Sequence, residues 1–221
     1  MRLAATFVLV VCLPAASFAH FPFLRVERDG GHAALHAYFG HGPEPTDEKY
    51  YSRLQEAKVW RLEDNGKPEP LSLRPGKDSL VADLPSTKAA VFGFEKNYGV
   101  TTRHGNYLST NYSKTYSGAD AWPIETAKLL RLDIAADRQD DKLVFTVRWN
   151  GKPFAGTDVI VNRGDAEYEG QTDAKGRFAV PLSGSGTYTA RATRTDETPG
   201  EHEGKKYDGL RYTSTLLIEI D

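Results

Sequence analysis

Residues 141–195 read "DKLVFTVRWNGKPFAGTDVIVNRGDAEYEGQTDAKGRFAVPLSGSGTYTARATRT". Short runs of alternating apolar and polar residues recur here, broken every eight to twelve residues by turn signals such as Asn150-Gly151 and Lys175-Gly176. That spacing predicts an antiparallel sandwich of immunoglobulin-like type, because alternation at period two buries one face of each strand. Working outward, "RLDIAAD" before it and "GLRYTSTLLIEID" at the end of the chain add strands. The charged stretch "DETPGEHEGKKYDG" connects to the last of them.

The amino-terminal half continues the theme. "FPFLRVE" and "HAALHAYFG" alternate, and "RDGG" between them supplies the small, positive-φ positions of a tight turn. A hairpin with strands His20 to Arg28 and His32 to Gly40 is predicted. The segment from His41 to Gly76 is punctuated by Pro43, Pro45, Pro68, Pro70 and Pro75. It reads as a polar loop with a short helical turn, then a strand at "AKVWRLE". "SLVADL" and "KAAVFGFEKNYGV" follow as strands. Residues 101–122, "TTRHGNYLSTNYSKTYSGADAW", lack a sustained apolar face and read as a long Tyr-rich loop. The expected architecture is all-β: two consecutive antiparallel β-sandwich domains, at residues 20–128 and 129–221, after a cleaved signal peptide at residues 1–19.

That leader rests on Arg2, the apolar run "LAATFVLVVCLPAASFA", and small Ser17 and Ala19 three and one positions before a cut after Ala19. The run is short of the roughly 20 residues that span a bilayer. A periplasmic or extracellular location follows, with no membrane span after cleavage. Cys12 is the one cysteine, preceded by bulky Val11 where a lipoprotein signal wants a small residue, and the cut removes it. Disulfides and thiolate metal sites are then excluded. A net charge of -2 offers no basic surface for nucleic acid.

Cleavage after Ala19 makes His20 the first residue, so its α-amine and imidazole Nδ1 can close a chelate ring on one metal ion. A second imidazole completes a three-nitrogen site suited to copper, and imidazole also suits nickel. The competing amino-terminal arrangement needs deprotonated amides at the second and third positions, and Pro22 has no N–H. Candidate partners are His36, His41 and His104. The hairpin register sets the chain near residues 38–41 opposite His20 and so favours His41, with His36 or His104 third.

Other chemistry is sparse. "HGPEPTDEKYY" is acidic but lacks the spaced oxygen ligands and central glycine of a calcium loop. There is no G-x-S-x-G and no glycine-rich phosphate loop, so no catalytic residues are assigned. The rival to a metal site is a glycan- or protein-binding adhesion module using Tyr98, Tyr107, Tyr112, Tyr116 and Trp122 as an aromatic platform. A copper-dependent oxidase with an amino-terminal histidine brace is a third reading.

Two resemblances bear on these alternatives. Through "NGKPFAGTDVIV", "GQTDAKGRFAVPL" and "SGTYTARA", roughly residues 142–193 resemble carboxypeptidase-regulatory-like modules, which implies fold and nothing catalytic. With "AHFPFL", "HAYFGHGPEP" and "GKKYDGLRYTSTLLIEI", the chain resembles a periplasmic family of largely unassigned function. That family is related to the soluble component of nickel and cobalt uptake systems. Its members commonly open with a histidine after the leader, matched by His20. Where it would place a histidine before "YTSTL", this sequence has Arg211-Tyr212. The resemblance implies binding of nickel, cobalt or copper for uptake or homeostasis, with a membrane metal transporter as partner.

Overall fold

The computed structural model describes residues 20–29, 31–63, 66–84, 88–102, 105–122, 124–126 and 128–220. The leader, its cut and His104 lie outside the described residues. Among the described residues the regular structure is β apart from two 3-10 turns, Glu48–Arg53 and Ala119–Ala121. In chain order the strands are β1 (Phe21–Asp29), β2 (His32–Gly40), β3 (Lys58–Glu63), β4 (Glu69–Leu71), β5 (Arg74–Pro75) and β6 (Leu80–Asp83). There follow β7 (Ala90–Thr101), β8 (Tyr107–Tyr116), β9 (Leu132–Gln139), β10 (Lys142–Trp149), β11 (Lys152–Pro153) and β12 (Asp158–Arg163). The chain closes with β13 (Ala166–Gln171), β14 (Arg177–Pro181), β15 (Gly186–Asp196), β16 (Gly200–His202), β17 (Lys205–Tyr207) and β18 (Gly209–Ile220).

An eight-stranded sheet in the order β13-β12-β15-β18-β8-β7-β3-β4 forms the middle of the molecule. Its two faces are covered by different layers. On one face the sheet β1-β2-β6-β5 packs Leu24, Leu35 and Leu80 against Val59, Phe92 and Phe94. On the other, β9 and β10, with β11 and β14, pack Leu132, Ile134 and Phe145 against Val161, Tyr188 and Leu216. The alternation of β7 divides it between the two cores: Phe92 and Phe94 enter the first, Val91 the second. Gly93 shares the face of Val91, and the indole of Trp60 lies over it so closely that a Cβ there would sit 2.0 Å from Cζ2.

Three features depart from the sequence reading. The stretch at residues 101–122 is not a loop: β7 runs to Thr101 and β8 occupies Tyr107–Tyr116 in the interior of the sheet. Tyr112 and Tyr116 are only 2% and 7% exposed, within the second core, so they offer no platform to a glycan or protein. Next, the sheet is continuous across the boundary expected at residues 128 and 129, because β8 from the first half pairs with β18 from the second. That pairing is parallel, with Gly209 opposite Tyr107 and Leu217 opposite Thr115, whereas an antiparallel sheet was expected. Finally, the charged connection "DETPGEHEGKKYDG" carries a small hairpin of β16 and β17.

Polar side chains tie the layers together where β1 crosses β18 and β8. Thr215 Oγ1 donates to Pro22 O at 2.6 Å, and its contact with Ser113 Oγ is 2.9 Å. Small hydroxyl residues on this face let the β1 backbone approach while satisfying its carbonyl. On the opposite face Lys114, 1% exposed, meets Asp133 of β9, fully buried, at 2.5 Å between Nζ and Oδ1. Thr126 Oγ1 accepts from Lys114 Nζ at 2.8 Å and donates toward the carboxylate of Asp133 at 3.2 Å. Burial penalises the ammonium, yet the Asp133 charge beside it holds the Lys114 pKa above its ordinary value.

Candidate metal centre at the amino terminus

The β1–β2 hairpin sets the geometry. Gly31 turns it with φ +86°, and the register pairs Phe21 with Gly40 and Pro22 with Phe39. Extending that ladder by one residue brings His20 opposite His41. Paired residues of an antiparallel ladder share a face, so both histidines belong with Pro22, Leu24 and Phe39 on the side facing the first core. The two imidazole rings lie 4.6 Å apart between centroids, tilted by 44°.

Aromatic side chains back this pair. The ring of Tyr50 is 5.2 Å and that of Phe39 5.8 Å from the His20 ring. Tyr50 is delivered by the 3-10 turn Glu48–Arg53, which Asp47 caps by accepting from Lys49 N at 3.1 Å. Thr46 holds the intervening loop to β2, its Oγ1 accepting from Phe39 N at 2.8 Å. Tyr98 of β7 then closes the far side, its hydroxyl donating to Arg53 O at 2.8 Å and its ring 6.2 Å from Phe39. Burial pushes the Tyr98 phenol above its ordinary pKa. His20 thus sits on a braced aromatic base at the open end of the hairpin.

The structure brings His41 to His20 and does not bring His36. His36 pairs with Arg25 and occupies the opposite face of the hairpin. Four residues along β2 from Gly40 amount to about 13 Å at 3.3 Å per residue. Its ring also has a network of its own: Nδ1 lies 2.9 Å from Ser79 Oγ and Nε2 3.7 Å from Glu27 Oε2, and Tyr38 donates to the other oxygen of Glu27 at 2.6 Å. His36 therefore cannot supply the third nitrogen expected of it while the hairpin keeps this register. Among the described residues no group of three or more His, Cys, Asp or Glu side chains gathers as a metal site. A centre at His20 and His41 therefore needs a donor beyond those side chains, and the α-amine of a chain cut before His20 is such a donor. Two imidazoles and one amine are a donor set that suits copper or nickel.

Sequence reasoning missed Tyr50 as a neighbour, because nothing in "DEKYY" shows which tyrosine of the pair turns toward the hairpin end; its partner Tyr51 is buried in the first core. Among the described residues no helix is long and apolar enough to cross a membrane. A comparison with protein-family models finds no match, and a comparison with curated proteins finds none.

Proposed function

We propose that the chain, cut after Ala19, binds one divalent transition-metal ion at its new amino terminus. Nickel, cobalt and copper are the candidates. The His20 amine, the His20 imidazole and the His41 imidazole would hold it. The protein would serve metal uptake or homeostasis from a periplasmic or extracellular location, handing the ion to, or sensing it for, a membrane metal transporter. It would do so without catalysis of its own. The observation that carries this reading is the 4.6 Å approach of the His20 and His41 rings beside the expected cut. Two imidazoles already held close at one hairpin end would lose little freedom on binding an ion, which supports the reading.

The test is calorimetric. A chain beginning at His20 is titrated with nickel and with copper, beside a variant carrying one extra alanine ahead of His20. The extension moves the free amine off His20 and destroys the chelate ring, so affinity should fall at least tenfold. If the two forms bind equally weakly, the reading is wrong.

A further inference from the structure

A second site lies where the hairpin meets the part of the large sheet it does not cover. The layer β1-β2-β6-β5 leaves β15, β12 and β13 open on its side, and a groove of about 730 Å³ runs between that ledge and the outer face of β1. Such a volume falls in the range of small-molecule sites, roughly 300–1,000 Å³. Phe21 and Phe23 form one wall, and the loop with His41 and Glu44 closes one end.

The floor is laid out by strand register. Arg191, Ile160 and Glu169 stand abreast across β15, β12 and β13, and Thr189, Asn162 and Glu167 form the next row. With strands about 4.8 Å apart, the backbones of Arg191 and Glu169 are separated by about 10 Å, with apolar Ile160 between them. The Arg191 guanidinium lies 4.4 Å over the ring of Phe21, which fixes its plane and leaves its edge N–H groups for a ligand. Burial lowers the Arg191 pKa and the carboxylates of Glu167 and Glu169 act against that shift. Neither glutamate is within ion-pair distance of it, and no described residue accepts a hydrogen bond from it. A half-buried guanidinium with no acceptor in contact is the arrangement that recognises a carboxylate by two parallel hydrogen bonds.

A plain anion does not fit the whole groove, because Glu44, Glu167 and Glu169 would repel it. A ligand bearing both charges does fit. We propose that this groove binds a small zwitterion of dipeptide length, with its carboxylate on Arg191, its ammonium on Glu169 or Glu167, and its body over Ile160. The site is separate from the metal reading, although His41 borders both.

The probe is L-alanyl-L-alanine, titrated calorimetrically into the His20-start protein after metal has been stripped with a chelator. Saturable binding should appear and should weaken at least tenfold when the dipeptide is N-acetylated, and equally when its carboxylate is amidated. R191M should abolish the preference for the free carboxylate, while R191K, which keeps the charge without the two-pronged edge, should retain part of it. Both variants are checked for an unchanged thermal midpoint. If the capped forms bind as well as the dipeptide, if a neutral disaccharide binds equally, or if nothing binds at millimolar concentration, the proposal is overturned. Nickel or copper titration of R191M should match the parent protein, so this proposal and the metal reading fail separately.

Discussion

Replacing Lys114 by methionine tests how the second core is held together. The pair with Asp133 is sealed between β8 and β9, with 1% and 0% exposure and 2.5 Å between Nζ and Oδ1. Removing one partner of such a pair leaves an uncompensated buried charge and costs about 3–5 kcal/mol, whereas replacing both by apolar groups is near neutral or stabilising. The surroundings decide where each single variant falls. In K114M the Asp133 carboxylate keeps Thr126 and the Arg148 guanidinium at 3.7 Å, so the cost should lie near ~3 kcal/mol. In D133L the ammonium keeps Thr126 Oγ1 and the face of Tyr116 at 5.5 Å, neither of them a negative charge, so the cost should approach ~5 kcal/mol. Urea unfolding at ~2 kcal/mol per molar turns these into midpoint shifts of about 1.5 M and 2.5 M. The double variant K114M/D133L should return to within about 1 kcal/mol of the parent. Single-variant costs under 1 kcal/mol, or K114M costing more than D133L, would refute the reasoning.

Three further outcomes follow from the packing. T215V keeps the side-chain shape but removes the donor to Pro22 O, and should cost about 1–3 kcal/mol with faster amide exchange along β1, measured by hydrogen exchange. G93A drives a Cβ into the Trp60 indole and should cost about 1–3 kcal/mol in urea unfolding, relieved in part by W60L. Burial, before any other cause, raises the phenols of Tyr98, Tyr112 and Tyr116 above the ordinary tyrosine pKa of 10.0. Raised folded values mean that their contribution is intact below pH 10.0 and is lost as pH climbs above it. Unfolding in alkali should therefore set in above that pH and coincide with the rise of tyrosinate absorbance.

Where a segment has one buried and one open face, the sequence was legible. The hairpin was expected at His20 to Arg28 and His32 to Gly40, and is found at Phe21–Asp29 and His32–Gly40, because alternation and the glycine turn act locally. That register alone led to His41 as the neighbour of His20. β8 was illegible for the opposite reason. A strand covered on both faces loses its alternation, and here the expected apolar run is replaced by Ser113, Lys114 and Thr115, each satisfied by a partner distant in sequence. Its parallel partner β18 is separated from it along the chain by every strand from β9 to β17. The groove around Arg191 was hidden likewise, since its rows are assembled from β12, β13 and β15 and its wall from β1. In "TYTARATRT" nothing marks Arg191 apart from Arg194.

The central claim is that hairpin register joins His20 to His41, and not to His36, as metal donors. Nickel and copper titration of the His20-start chain against H41A and H36A tests it most directly. The account predicts that H41A weakens binding at least tenfold and that H36A binds as the parent does. Equal loss in both variants, or loss in neither, would contradict it.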